Sequence, residues 1–306
     1  MSVVFDVADP VPSLPTDTVF TPIDRAARSV LEPAFRRAGY PLCEFSFALQ
    51  VCWQRFNRSC WASAGGWTFV RYLENGAECF LCPVGPGDPA PAIRACFEHL
   101  QARGHAPVVR FVPDAVASGL DGTVFERLPD PDNDDYLYAV ADLAEMRGRR
   151  YSGKRNHIAQ FLRGGDWSFD VYRPDDRSAV DAFLDAWCRD RDCQKHPALD
   201  YEMEALDVCL DHALELGISV YLLRGAVGEI LGLTAGGPLM ADTWAVHFEK
   251  GLATRPGVYP MLTREFARRV PPGIRWLDRE QDMGVENLRQ AKKSLYPSHQ
   301  ERSWTV

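Results

Sequence analysis

The 306-residue sequence contains no apolar run of the ~18–20 residues that a bilayer-spanning helix needs. Its opening, "MSVVFDVADPVPSLP", lacks a basic region and a long apolar core, so it does not read as a signal peptide. The expectation is a cytoplasmic protein with no integral membrane segment. Positive charge is also short: the formal net charge is −8. That excludes a protein that merely coats nucleic acid, and any contact with RNA needs a local basic patch. A disulfide framework is missing too. The nine cysteines are odd in number and irregularly spaced, mostly among apolar neighbours, which suits reduced, buried thiols. "CFLC" pairs Cys79 with Cys82, but no second pair follows, and alternation along a strand points the two apart. No metal site is expected.

What is present is a globular composition, 46% hydrophobic. A Pro-rich arm over 1–22 leads into a first unit, 23–165. "CEFSFALQVCWQRF" reads as a buried helix. "SCWASAGGWTFVRYLENGAECFLCPVG" reads as three strands, turning at Gly65-Gly66 and Asn75-Gly76. "PAPAIRACFEHLQARG" is an amphipathic helix and "APVVRFVP" a strand. The acidic "DPDNDDY", 130–136, reads as a turn or helix cap. It is followed by "RGRRYSGKRNHIAQFLR", 147–163, which is basic and free of acids.

A second unit spans 166–306. It runs through a strand, two helices, three strands over 218–250, the helix "VYPMLTREFARRV", the strand "IRWLDRE" and a last helix closed by Pro297. Both halves share one order of elements: helix, antiparallel strands, helix, strand. Each unit therefore buries one face of a curved sheet, an α/β (α+β) architecture. The loop "EKGLATRPGVYP" enters a helix N-terminus, where free N–H groups suit an anion. Arg255 and Gly257 are its candidate ligands. With no second glycine two residues on, coenzyme A binding and an ordinary strand-to-helix loop both stay open.

"DYLYAVADLAEMRGRRYSGKRNHIAQFLR", "AVHFEKG", "DREQDMGVENLRQAKKSLYP" and "FSFALQVCWQRF" together resemble the recurring blocks of the phosphatidylglycerol lysyltransferase C-terminal-domain family. The resemblance implies two tandem acetyltransferase-like (GNAT-type) domains with mixed, mainly antiparallel sheets flanked by helices. It implies an acyltransferase, moving an aminoacyl group from aminoacyl-tRNA to a small-molecule, peptide or lipid-like acceptor. No cofactor is required. The alternatives are a coenzyme-A-dependent N-acetyltransferase using acetyl-CoA, and a non-catalytic ligand- or RNA-binding module.

Acyl transfer needs a proton acceptor and charges that steady the developing oxyanion and leaving group. The catalytic candidates are Glu249, His247, Glu280 and Asp282. His247 and Glu249 share a strand face. Glu280 and Asp282 do so if the strand continues through Gln281. The binding candidates are Lys154, Arg155, Asn156 and His157 of "KRNH", with Lys250, Arg255, Gly257, Tyr259, Glu265 and Arg279. Arg289, Lys292 and Lys293 complete them, set on one helix face. An ion-pair network locking the last helix to the sheet is the leading reading of this terminal segment, and it is compatible with a direct role.

Overall fold

A computed structural model describes residues 13–306 except 75, 192 and 196. Residues 1–12 of the expected arm, and Asn75 of the expected Asn-Gly turn, therefore lie outside the described residues. β1 (Thr21–Pro22) precedes α1 (Arg28–Ala38). Asp24 Oδ1 accepts the N–H groups of Ala26 and Ala27 at 2.9 and 3.2 Å and starts the helical segment. Gly39, at φ 63°, stops it in the left-handed region. A 3-10 turn, Cys43–Phe45, then leads to α2 (Phe47–Cys52) and α3 (Gln54–Asn57). The expected single helix is thus three short pieces. β2 (Cys60–Ala64), β3 (Trp67–Glu74) and β4 (Ala77–Leu81) form an antiparallel meander. α4 (Ala90–Ala102) crosses over, and β5 (Val109–Arg110) returns parallel to β4. Phe111, at φ 54°, breaks the expected strand here. β6 (Val112–Pro113) consequently joins a different sheet.

α5 (Asp114–Gly119), β7 (Leu128–Pro129), β8 (Asp135–Ala139), α6 (Val140–Glu145) and α7 (Ser152–Leu162) follow. The earlier pattern then recurs. β9 (Ser168–Val171) precedes α8 (Arg177–Arg191) and α9 (Pro197–Leu216). β10 (Ser219–Arg224), β11 (Ile230–Met240) and β12 (Thr243–Gly251) are antiparallel. α10 (Val258–Ala267) crosses to β13 (Trp276–Asp278), parallel to β12. α11 (Glu286–Lys293), β14 (His299–Glu301) and β15 (Ser303–Thr305) complete the chain.

The same topology therefore occurs twice, as the sequence order implied. The units are stitched together. The seven-stranded sheet runs β14-β8-β13-β12-β11-β10-β9, so β8, from before residue 165, sits between strands of the second unit. β15 goes back to pair with β6 and β7, and Val306 exchanges two backbone hydrogen bonds with Val109 at 2.8 and 2.9 Å. One apolar core runs across both units, from Leu31 and Phe69 to Leu206 and Leu222. Deleting residues 303–306 is expected to cost ~2–4 kcal/mol, counting the lost strand pairing at about 1 kcal/mol per net hydrogen bond. Denaturant titration measures this, and an unchanged midpoint would contradict the stitching.

Cys188 and Cys193 form a disulfide where α8 gives way to a 3-10 turn, with Cα atoms 5.1 Å apart. This corrects the expectation of nine reduced thiols. The helix end folds back within bridging reach, which spacing alone did not show. Among the described residues, no helix is long and apolar enough to cross a membrane.

Candidate functional site

β13 pairs only with the first three residues of β12, Thr243–Ala245. Beyond them the two strands part, because β13 ends at Asp278. Asp278 Oδ1 accepts the Glu280 N–H at 2.7 Å, and Glu280 takes φ 59°, a left-handed conformation rare for a non-glycine residue. The chain turns there. The expected continuation of the strand through Gln281 is corrected, and Glu280 and Asp282 face different partners.

Glu280 turns toward β12, where its Oε1 lies 2.8 Å from His247 Nδ1. A carboxylate only accepts, so Nδ1 is the donor in this contact, which in the neutral ring turns the Nε2 lone pair toward Ser46. Nε2 lies 3.4 Å from Ser46 Oγ. Ser46 comes from the first unit, where it caps α2 by accepting the Leu49 N–H at 3.3 Å. Ser46 and His247 line a narrow cleft between α1 and α2 on one side and β11 and β12 on the other, and the His247 side chain is almost wholly buried at its base. Phe35, Phe45 and Leu239 give its walls apolar character.

Glu249 sits two residues on from His247, but both its oxygens are engaged by Arg279, at 2.9 and 3.1 Å. Arg279 Nη1 also reaches Thr263 Oγ1 on α10 at 3.1 Å. Burial opposes the Arg279 charge, yet Glu249 keeps the guanidinium's pKa raised. Asp282 faces away, accepting Tyr136 OH at 2.7 Å and two Arg289 donors at 2.9 Å. Lys292 is buried and donates to the carbonyl oxygens of Arg279 and Glu280. Burial and the nearby Arg279 push its pKa down. Thus α11 is clamped to the sheet by Arg289 and Lys292, whereas Lys293 is exposed. The expected common face splits at that residue.

The other predicted residues are dispersed. Lys154 on α7 donates to Ser294 Oγ at 2.7 Å, just past α11. Arg155 binds the carbonyls of Met146 and Gly148, while Asn156 and His157 are exposed on α7. Lys250 points to the other face of β12, pairing with Glu202 at 2.6 Å over the Trp187 ring. Tyr259 also lies at Trp187, whose Nε1 is 3.5 Å from the tyrosine oxygen. Glu265 is caged by Arg264, Arg268 and Arg269. A Cβ on Gly257 would meet His157 O at 2.2 Å, and Arg255 packs at Gly164. The α10 N-terminus is therefore covered by α7.

Sequence reasoning missed the groups that complete the cluster. Ser46, Glu44 and Cys43 lie in "CEFSF", where an acid inside an apolar run was the available signal. Asp135, expected in a turn, begins β8 and is fully buried; Asp278, at the end of β13, is buried likewise. Burial, reinforced by neighbouring carboxylates, drives both well above the usual carboxylate range. Burial likewise pushes Glu44 up to about 8.

The sequence matches the family described as phosphatidylglycerol lysyltransferase, C-terminal, over residues 37–306. The chain belongs to this family. A conserved protein of unknown function from Bacteroides thetaiotaomicron superposes with a TM-score of 0.88 at 26% identity, over 94% of this chain and 98% of that one. The C-terminal domain of a putative lysylphosphatidylglycerol synthetase from Agrobacterium fabrum gives 0.64 at 14% identity, covering 92% of each. The L-PGS structure from Bacillus licheniformis gives 0.64 at 12% identity, covering 94% and 93%. None of the curated proteins matches the chain. Family membership supports an acyltransferase-type function.

In this lysyltransferase-family fold the Asp282 clamp has a pH consequence. Burial works against the Asp282 charge, but Arg289 and Tyr136 overcome it and hold its pKa down at about 2, below the ordinary 3.8. A depressed folded-state value means that its stabilisation is present above pH 4 and lost as pH falls through about 2. Asp282→Asn is expected to be less stable than wild type at neutral pH and to lose less on acidification. Denaturation midpoints from pH 5 to pH 2 check this, and parallel curves would count against it.

Proposed function

We propose that this chain transfers an aminoacyl group from aminoacyl-tRNA to an acceptor held in the cleft between its two units. The acceptor is a small molecule, a peptide or a lipid-like amine or alcohol. The observation that carries the reading is the line Ser46–His247–Glu280 opening on that cleft. His247 Nε2 takes the proton of the acceptor as it attacks the ester carbonyl. The same proton then passes to the departing ribose hydroxyl, so the imidazole is regenerated. Glu280 orients the ring and steadies the imidazolium.

Glu249 remains a member of the site, holding Arg279 beside it. Two features support tRNA over coenzyme A as donor. His157 O closes on the α10 N-terminus, where a pyrophosphate would sit. Arg147, Arg149, Arg150 and Arg155 are exposed on and before α7, although Arg147 and Arg150 pair with Glu145 and Asp142, so the surface is basic at its exposed edge. Such groups suit a phosphate backbone.

The test supplies the protein with charged tRNA carrying a labelled amino acid, or with labelled acetyl-CoA, over a panel of amines and alcohols. Transfer from tRNA alone is expected. Turnover with acetyl-CoA alone would replace this reading by the N-acetyltransferase one, and binding without turnover by the binding module. A second reading, a covalent relay through Ser46, is favoured by the 3.4 Å contact between Ser46 Oγ and His247 Nε2. A donor-dependent mass increase mapped to Ser46 would support it.

A further inference from the structure

In the 3-10 turn just before Ser46, Cys43 and Glu44 meet Asp135 at the start of β8. One potential ligand atom from each lies within 4.8 Å of the others, and all three residues are buried. Cys43 and Asp135 are 0% exposed and Glu44 8%. Part of the bonding capacity is used. Asp135 Oδ2 accepts the Cys43 N–H at 2.7 Å, and the Gln281 carboxamide bridges the Cys43 thiol and Glu44. The remaining oxygens, Asp135 Oδ1 and Glu44 Oε2, have no hydrogen-bond donor, nor does Asp278 Oδ2 nearby. A buried polar atom left in this state is costly unless a ligand meets it.

The charges do not balance either. Glu44, Asp135, Asp278 and Glu280 bring four carboxyl groups to one region. Of the cations here, Arg279 is spent on Glu249, and Lys292, which donates to main-chain carbonyls and faces Asp135, Asp278 and Glu280, offsets one of the four at most. Buried carboxylates in excess of their partners take up protons or bind a cation. Complete enclosure excludes a substrate amino group, which must enter and leave with each turnover. A small ion bound once during folding meets no such requirement.

We propose that Cys43, Glu44 and Asp135 bind one divalent cation of the zinc class. The thiol selects against magnesium and calcium, which take oxygen ligands, whereas zinc accepts sulfur and carboxylate oxygen together. Ligand atoms around tetrahedral zinc stand roughly 3.6 Å apart, from bond lengths of about 2.3 Å to sulfur and 2.1 Å to oxygen. Atoms already within 4.8 Å of one another must therefore close by about 1.2 Å at most. Binding replaces the Cys43 S–H bond with a sulfur–metal bond and releases that proton to solvent. Gln281 Oε1, 3.1 Å from the sulfur, is the nearest fourth donor. The ion would tie the turn that presents Ser46 to β8 of the other unit's sheet, and so fix Ser46 opposite His247. Its role is positional, and it holds whether or not the donor is tRNA.

The test measures metal by plasma mass spectrometry on untagged protein from zinc-supplemented cells, after dialysis. About one zinc per chain is expected in wild type. Cys43→Ser and Asp135→Asn should fall to background, while Cys79→Ser, at the separate "CFLC" pair, keeps the full amount. Chelator-stripped wild type should regain Tm when zinc is restored, a measurement that stands even if Asp135→Asn fails to fold. Less than about a tenth of an equivalent in wild type with no Tm response to zinc would overturn the proposal. So would full zinc content in Cys43→Ser, or its loss in Cys79→Ser instead.

Discussion

Arg279→Ala is expected to cost ~3–5 kcal/mol of folding stability, the range for breaking one side of a buried ion pair. Glu249 and Arg279 are only 9% and 15% exposed, and their two hydrogen bonds are parallel. Removing the guanidinium leaves the carboxylate in a low-dielectric site without its two-pronged partner and strands Thr263 Oγ1 as well. A domain of ordinary stability loses a large fraction of its margin by this. The double variant Arg279→Met/Glu249→Leu separates the cost of an orphaned charge from the worth of the pair. It is expected to recover most of the loss, because apolar replacement of both partners is often neutral. Urea midpoints of the three proteins decide the matter. An Arg279→Ala midpoint equal to wild type would show that the pair is not what anchors the segment after β13.

The second large effect concerns catalysis. His247→Gln is expected to lower kcat/KM by ~10²–10⁴, the usual contribution of a positioned general base, with little change in Tm. Glutamine preserves hydrogen bonding to Glu280 but cannot carry the proton. Glu280→Gln should have a smaller effect on the rate, since it removes orientation and charge rather than the base. Ser46→Ala distinguishes the two routes through the site. Under direct transfer it retains most activity; under a covalent relay it loses as much as His247→Gln. Steady-state kinetics with charged tRNA and the best acceptor provide the comparison. A fully active His247→Gln protein would remove the imidazole from the mechanism and return the role of base to another group.

Local pattern was enough to read much of the fold. The meander over β2–β4 and that over β10–β12 announced themselves by alternating apolar residues and tight turns. α4 and α9 were legible from their apolar spacing and, for α9, from the stop at Gly217. Errors arose where a single residue left the regular pattern. Phe111 and Glu280 adopt positive φ, and no sequence periodicity marks such a break. Assigning Asp135 to a turn followed from its acidic neighbours, yet its carboxylate caps a main-chain N–H of a residue 92 positions away. Lys250 and Glu265 were credited to the site because of their neighbours in sequence. In the fold each has a private partner set, Glu202 for one and three arginines for the other.

By itself the sequence determined the order of elements, the α/β class, the doubled topology and the family blocks, because each is written in residues a few positions apart. Which polar groups share a site was decided only by the tertiary structure. Ser46 meets His247 across 201 positions, and Glu44 meets Gln281 across 237. Such meetings depend on how two sheets pack and where β12 and β13 separate. The energy that fixes them comes from excluding water around charges that must then find partners, and no window along the chain contains both members of those pairs.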